Sequence, residues 1–581
     1  MKSSANIPQE LVDLRALDAI FLEGFCAKWR QYIIDEILQH GGHFSANLGT
    51  IELTVALHYI LDTPTDQLVW DVGHQAYLHK VLTGRKEAFH SIRKKDGISG
   101  FPNQSESIFD VFGTGHSSTS ISAVLGLAEA DKLLQVKRQH VAVIGDGSLT
   151  GGMAWEAINN AAQSDTNILI IINDNQMGID PNAGALNQYL NKLKTTPNYF
   201  SDLGFEYHHT SDGHNVNALV DQLKVLVKSD KPKIWHIKTV KGKGYQAAES
   251  EQTKWHAVKF VKIDEIEQPH PGDKFQDVFG HSLLELAQSN DRIVGITPAM
   301  PSGSSMKIMM DALPDKCFDV GIAEQHAVTF SAGLATNGLI PFCHIYSTFF
   351  QRAYDQVIHD VCLQNLHVIF CLDRAGNVGE DGATHHGMFD IAFLNCIPNI
   401  TIMVPSDELE LRQMMYTAIT VEGPVAIRYP KGYGENLQWQ KPFTTIPVGQ
   451  SISLHSGTDC CIIAIGPLVY GSLSAAQLLL PNGISAEVVN MRFVKPLDFN
   501  ALDNIFDKFQ TIVTIEDGCI TGGFGSAILA YANKKQYDGR IQVIGYPDEF
   551  VDHGTREELL NMYGLDCDGI VQTVTSIIQP G

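Results

Sequence analysis

The feature that most limits what this chain can fold into is a recurring pair of patterns. A short apolar run ends in or near Gly, Asp or Asn, and a stretch with helical spacing follows. His140-Val141-Ala142-Val143-Ile144 is one such run, and 168–172, 368–372 and 461–465 are others. A continuous apolar run of strand length suits a strand covered on both faces, and alternation with helices makes βαβ units around parallel sheets. The expected fold class is α/β: three domains, each a mostly parallel sheet flanked by helices. Ligands on such sheets gather beyond the carboxyl ends of the strands. The polar residues just after each run are therefore the first functional candidates.

Two stretches interrupt the pattern. Gln268-Pro269-His270-Pro271-Gly272-Asp273 reads as a linker, and 431–448 has Gly432-Tyr433-Gly434, two prolines and little periodicity. They predict domains at 1–268, 274–430 and 449–581. An apolar fraction of 44% against 18% charged residues argues for large cores rather than disorder. The net charge of -23 comes with no long basic cluster, which argues against nucleic acid. Ile92-Arg93-Lys94-Lys95 is short and reads as a solvated loop. No apolar run approaches the roughly 18–20 residues that cross a bilayer. Ten cysteines without a Cys-x-x-Cys pair read as buried thiols in a reducing compartment. With polar first residues, a soluble cytoplasmic protein is expected.

The most informative segment is 145–175. After the first run come Gly145-Asp146-Gly147-Ser148 and then Gly151-Gly152, which opens a helical stretch. Glycines at a strand-to-helix turn let backbone N–H groups approach a phosphate. The next run ends in Asn173-Asp174-Asn175-Gln176-Met177. If the two strands are neighbours, Asp146 and Asn175 emerge side by side. One carboxylate with amide and carbonyl oxygens, completed by diphosphate oxygens and water, suits Mg²⁺. Gly-Asp-Gly alone is more often a plain turn; the downstream Asn-Asp-Asn after a second strand favours a site.

Asn175 lies 28 positions after Gly147, which resembles the thiamine-diphosphate motif. Further stretches carry a closer resemblance over nearly the whole chain: Gly42-His43-Phe44, Trp70-Asp71-Val72-Gly73-His74-Gln75-Ala76-Tyr77, Gly115-His116-Ser117-Ser118-Thr119-Ser120, Ala323-Glu324-Gln325-His326-Ala327, Tyr346-Ser347-Thr348-Phe349 and Asp381-Gly382-Ala383-Thr384-His385. The chain is similar to the 1-deoxy-D-xylulose-5-phosphate synthase family, a transketolase-like group.

The resemblance implies thiamine diphosphate and Mg²⁺ as cofactors. It implies Asp146, Asn175 and the Met177 carbonyl as metal ligands, with His74, Gly115, His116, Ser117, Gly147, Ser148, Asn175, Tyr245, Glu324 and Phe349 around the cofactor. Glu324 is implied to hydrogen-bond the aminopyrimidine and to share its proton, a role helped by a carboxyl raised in pKa. As an isolated residue it reads as a helix-opening Glu favoured by the macrodipole. His43, His74, His116 and His256 lack zinc-like spacing. The resemblance places His43 and His256 near the reacting carbons, joined by His385. Arg374 is the expected grip on an acceptor phosphate. Tyr346, Arg352 and Asp381 are implied to orient the acceptor.

The implied reaction joins pyruvate to D-glyceraldehyde 3-phosphate with loss of CO₂, in a homodimer. The product feeds isoprenoid, thiamine and pyridoxal precursors. A related transketolase or ketoacid carboligase with another donor or acceptor is the nearest alternative, and a non-catalytic cofactor-binding paralogue is another. Two departures from the family pattern stand out. Lys431 replaces an Arg common in the family, keeping the charge but losing the fork, so a looser hold on the acceptor is expected. The stretch 190–205 is shorter than usual, where the family has a long covering segment. The glycines at 522–525 resemble a dinucleotide turn only weakly and read as packing. The region 449–581 is expected to serve architecture and dimerisation and to hold no catalytic residue.

Overall fold

The structure is a computed structural model describing residues 7–259 and 272–579. Most of the first expected linker, 268–271, lies outside the described residues. The chain divides into two compact units, Met1–Glu267 with Gly321–Ala323, and Gln268–Val320 with Glu324–Gly581.

The first unit holds β1 (Gly42–His43), β2 (Gln67–Trp70), β3 (His140–Gly145), β4 (Ile168–Asp174), β5 (Glu206–Thr210), β6 (Lys233–Lys238) and β7 (Ala257–Val258). Five of these form a parallel sheet in the order β2-β3-β4-β6-β5. Ile168, Ile170 and Ile172 pack on one face and Leu169 and Ile171 on the other. That two-sided burial is why β4 reads as a continuous apolar run. The β1 and β7 residues pair antiparallel, setting His43 opposite Ala257.

The second unit holds β8 (Ile293–Thr297), β9 (Cys317–Asp319), β10 (Ile340–Tyr346), β11 (Ile369–Asp373), β12 (Thr401–Met403), β13 (Val425–Arg428), β14 (Ile452–His455), β15 (Cys460–Ala464), β16 (Ala486–Asn490), β17 (Phe493–Lys495), β18 (Thr511–Cys519) and β19 (Arg540–Tyr546). They make two sheets, β17-β12-β13-β11-β10-β8-β9 and β14-β16-β15-β18-β19. Each is parallel except for one antiparallel edge strand, β17 and β14 respectively. The strand β17 leaves the C-terminal stretch to pair with β12, so that stretch completes the middle sheet. The α/β expectation holds in all three large sheets.

The stretch 431–448 has no helix or strand, yet it is anchored. Trp439 is buried and its Nε1 donates to Asp273, while the Ile446 N–H donates to Thr417. All ten cysteines are free thiols and seven are buried. Among the described residues, no helix is long and apolar enough to cross a membrane.

Candidate active site

The register Gly145↔Asn173 makes β3 and β4 parallel neighbours, so Asp146 and Asn175 leave adjacent strand ends. Asp146 is buried and accepts the Gln176 N–H at 2.7 Å. The Asn175 side chain accepts the Met177 N–H at 3.0 Å, which curls this loop. Burial, followed by the facing Asp174 carboxylate, pushes Asp146 up to about 8. Burial also pushes Asp174 upward, but hydrogen bonds from His236 (2.8 Å) and Lys238 prevail and hold it below the usual range. A buried carboxyl that resists ionisation beside a second carboxylate is relieved by a divalent cation. The donor set therefore fits a hard metal that takes one carboxylate plus neutral oxygens. Among the described residues there is no cluster of three or more His, Cys, Asp or Glu suited to a metal. Lys241 is buried beside the same loop; its Nζ donates to the Gly178 carbonyl, and burial lowers it to about 8.

The turns expected to face a phosphate are clamped. Gly147 and Ser148 are buried, and Gly152–Ala161 is the helix that follows. Its N-terminus offers backbone donors and a positive dipole end. Gly115, His116 and Ser117 lie in the loop before the helix Ser120–Leu134. Asp71, just past β2, fixes that loop by accepting the Ser118 N–H at 2.7 Å and the Ser120 N–H at 3.0 Å. A Cβ on Gly73 would fall 2.3 Å from Pro102 and one on Gly151 2.3 Å from Ser118, so neither position has room for a side chain.

His43, His74 and His256 come together, with ring centroids 5.4–5.6 Å apart. His43 also meets the Tyr77 hydroxyl, at 3.2 Å from both its N–H and Nδ1. Tyr245 packs against Phe44 and Trp255.

In the second unit, Glu324 opens the helix Glu324–Thr336 and is buried. Arg352 lies 3.9 Å from its carboxylate. The cation and the helix N-terminus both favour the anion, yet burial prevails and raises the Glu324 pKa. Burial thus holds the residue toward its acid form. A second group is one run of stacked side chains. The Arg374 guanidinium lies 4.1 Å from the Tyr346 ring, Tyr346 stacks on Phe349, and Phe349 meets His385 edge-on at 5.5 Å. Thr384 Oγ1 contacts His385 Nδ1 at 2.8 Å, and the Asp381 carbonyl accepts from Thr384 Oγ1 at 3.3 Å. Lys431 donates to the Val378 carbonyl at 3.4 Å, on the loop that carries Asp381 and His385.

The family model described as 1-deoxy-D-xylulose-5-phosphate synthase matches residues 6–201 and 195–239. Models for the transketolase pyrimidine-binding and C-terminal domains match 274–435 and 449–570. A protein of Cytophaga hutchinsonii named 1-deoxy-D-xylulose-5-phosphate synthase is 50% identical over 615 residues, covering 97% of each chain. The chain belongs to the 1-deoxy-D-xylulose-5-phosphate synthase family. Relatives of that name from Parabacteroides distasonis and Chlorobaculum tepidum are 47% and 46% identical, each alignment covering 96% of both chains.

The family match bears on the short stretch 190–205. The Cytophaga alignment spans 615 positions against 581 residues here, so that relative carries residues this chain lacks. The family-model match breaks at 195–201, inside the short stretch. The local structure there is packed: helix Ala185–Lys192 is followed by Tyr199–Asp202 with an Asn198 capping box, and Leu190, Leu193, Phe200 and Phe205 are buried.

Several positioning residues escaped the sequence reading. Asp71 sits inside a quoted motif directly after a strand, which was a usable signal. Asp174, Lys238 and Lys241 lie at or just past the ends of β4 and β6 and carried the same one, whereas His236 lies inside β6.

Proposed function

We propose that this chain condenses pyruvate with D-glyceraldehyde 3-phosphate, with loss of CO₂, to give 1-deoxy-D-xylulose 5-phosphate. The observation that carries the reading is the near-full-length match, at 50% identity, to a relative of that name. Thiamine diphosphate with Mg²⁺ is the cofactor in this reading, and when bound it supplies the nucleophilic carbon that attacks the pyruvate keto group. Asp146, Asn175 and the Met177 carbonyl hold the cation. The turn at Gly147-Ser148 and the loop at Gly115-His116-Ser117 receive the diphosphate. His74, Tyr245 and Phe349 line the cofactor.

Glu324 holds a proton for the aminopyrimidine, a role that its burial supports by raising the pKa of the carboxyl. His43, His256 and His385 hold or move protons at substrate oxygens. Arg374 and Lys431 bind the acceptor phosphate, with Tyr346, Arg352 and Asp381 orienting the aldehyde. The working parts are 1–268, 274–430 and 449–581, and the enzyme acts as a cytoplasmic homodimer, the dimer being checked by sedimentation.

The test is incubation of the purified protein with both substrates, thiamine diphosphate and Mg²⁺, with mass identification of the product. 1-Deoxy-D-xylulose 5-phosphate is expected. A sugar-phosphate donor working in place of pyruvate, or cofactor binding without CO₂ release, would overturn the reading.

A further inference from the structure

The loop from Arg374 to Gly387 carries Arg374, Asp381 and His385. It contains four left-handed backbone positions, Arg374 (φ 58°), Gly376 (77°), Gly379 (83°) and Gly382 (67°). Such a chain has little local preference for one shape. Its neck is closed by the paired Gly376 and Gly387 N–H and carbonyl groups at 2.7 and 2.8 Å. Its interior is fixed from elsewhere, by the end of β18 and by residues 552–556. Asp517 Oδ1 accepts the Asn377 N–H at 3.0 Å, and Arg556 grips Asp517 Oδ2 at 2.8 Å. The Arg556 carbonyl accepts from the Asn377 side chain at 3.2 Å, and Asn377 Oδ1 in turn accepts the Gly379 N–H at 2.8 Å. His386 accepts the Val378 N–H on Nδ1 and donates from Nε2 to the Asp552 carbonyl at 3.3 Å.

The fit is steric as well as polar. A Cβ on Gly376 would lie 2.3 Å from the Asp517 carboxyl carbon, and one on Gly382 3.0 Å from His553 Cβ. Asn377 and Asp517 are buried, while Arg556 keeps a partly exposed side chain. The Asp517 carbonyl also accepts from Arg428 at 3.0 Å, and Arg428 reaches Asp390, which accepts from Ser347. One buried network thus ties the C-terminal sheet to the loop and to the start of the Tyr346-Ser347-Thr348-Phe349 stretch.

We propose that Asp517, held by Arg556, is a positioning residue that sets the affinity for the phosphorylated aldehyde by fixing the loop bearing Arg374, Asp381 and His385. The C-terminal stretch then tunes acceptor recognition in addition to its architectural part. The link to the acceptor rests on the function proposed above; the pinning of the loop does not.

The experiment uses the full-length enzyme with thiamine diphosphate and Mg²⁺. Asp517→Ala, Asp517→Asn, Arg556→Ala and Arg556→Lys are compared by KM for each substrate, kcat, and amide hydrogen exchange of residues 375–386. Asp517→Ala is expected to raise KM for D-glyceraldehyde 3-phosphate at least tenfold, leave KM for pyruvate within threefold, and speed exchange in the loop. Asp517→Asn keeps an acceptor for the Asn377 N–H and recovers most of the loss; Arg556→Lys does better than Arg556→Ala. Both KM values moving together, neither moving, or Asn faring no better than Ala overturns the proposal. If Asp517→Ala fails to fold, the half-exposed Arg556 pair decides it by the same criteria. Faster loop exchange in a protein whose wild type makes no 1-deoxy-D-xylulose 5-phosphate sinks the functional reading and leaves the pin standing.

Discussion

Replacing Glu324 by Gln should move activity and stability in opposite directions. The side chain is 5% exposed at the first position of its helix, with Arg352 at 3.9 Å. Three effects compete. The helix N-terminus favours the carboxylate by about 0.3–1 kcal/mol. A charge pair near 4 Å favours it by about 4 kcal/mol at an effective dielectric of 20. Desolvation opposes both by several kcal/mol, and it wins, since the pKa lies above its ordinary 4.5. A raised pKa means the folded state holds the proton more tightly than the unfolded state. Stability therefore falls as pH rises from near 4.5 through the folded pKa. Glutamine keeps the shape and removes that loss, so its advantage is absent at pH 4 and complete above the folded pKa. It has no proton to exchange, so turnover should drop by about 10²–10⁴, or about 3–5 kcal/mol in the barrier. The assays are product formation and thermal unfolding between pH 4 and 8. Turnover within tenfold of wild type would refute the proton role. A stability advantage confined to low pH would refute the burial argument.

Three more outcomes follow from other sites. Glu516 is buried and its pKa is raised by burial to about 7 against 4.5, which costs about 3 kcal/mol of stability once pH exceeds both values; the Tm of Glu516→Gln relative to wild type should therefore climb between pH 5 and pH 8, and a flat difference would contradict this. Asp110 takes both terminal Arg85 nitrogens at 2.5 and 2.8 Å and His79 at 2.9 Å, so Asp110→Ala leaves the buried guanidinium with only the Thr83 hydroxyl at 2.7 Å and Glu106 at 3.5 Å, and should cost about 3 kcal/mol in urea unfolding. Restoring the fork with Lys431→Arg should lower KM for D-glyceraldehyde 3-phosphate by roughly three- to tenfold, on the order of 1 kcal/mol, with KM for pyruvate unchanged.

Much of the fold was legible because its central strands are buried on both faces. The runs at 140–144, 168–172, 368–372 and 461–465 match β3, β4, β11 and β15 to within two residues. Strand β17 was not legible: three residues long, it is defined by antiparallel pairing with β12, some 90 residues earlier in the chain. The antiparallel edge β14 is largely exposed and carries no continuous apolar signal. At the site, residues grouped in short motifs at strand ends could be named from sequence. The pins could not. Asp71 acts on Ser118 across 47 positions and Asp517 on Asn377 across 140, and no local pattern encodes such a partner.

The Asp71 pin shares one feature with two other buried carboxyl groups. Ser118, Gln176 and Arg374 are non-glycine residues in the left-handed region, with φ of 70°, 64° and 58°. Each such residue costs about 1–3 kcal/mol. In every case its own N–H is given to a buried carboxylate: Asp71 at 2.7 Å, Asp146 at 2.7 Å and Asp373 at 2.6 Å. Such a hydrogen bond contributes about 0.5–1.5 kcal/mol, and about 1.5–3 kcal/mol when the carboxyl is ionised, which offsets the strain in part or in full. Each of these three turns stands where a carboxyl group is already buried, and in the proposed function two of them, at Ser118 and Gln176, border the diphosphate and the cation. Asp146 is the sharpest case, because the group proposed to ligate the metal also sets the turn that presents Asn175 and Met177. Substituting it removes a charge and releases a turn together, so loss of metal binding in Asp146→Ala would not by itself prove direct ligation. Asp146→Asn keeps an oxygen for the Gln176 N–H while losing the charge, and that variant separates the two contributions.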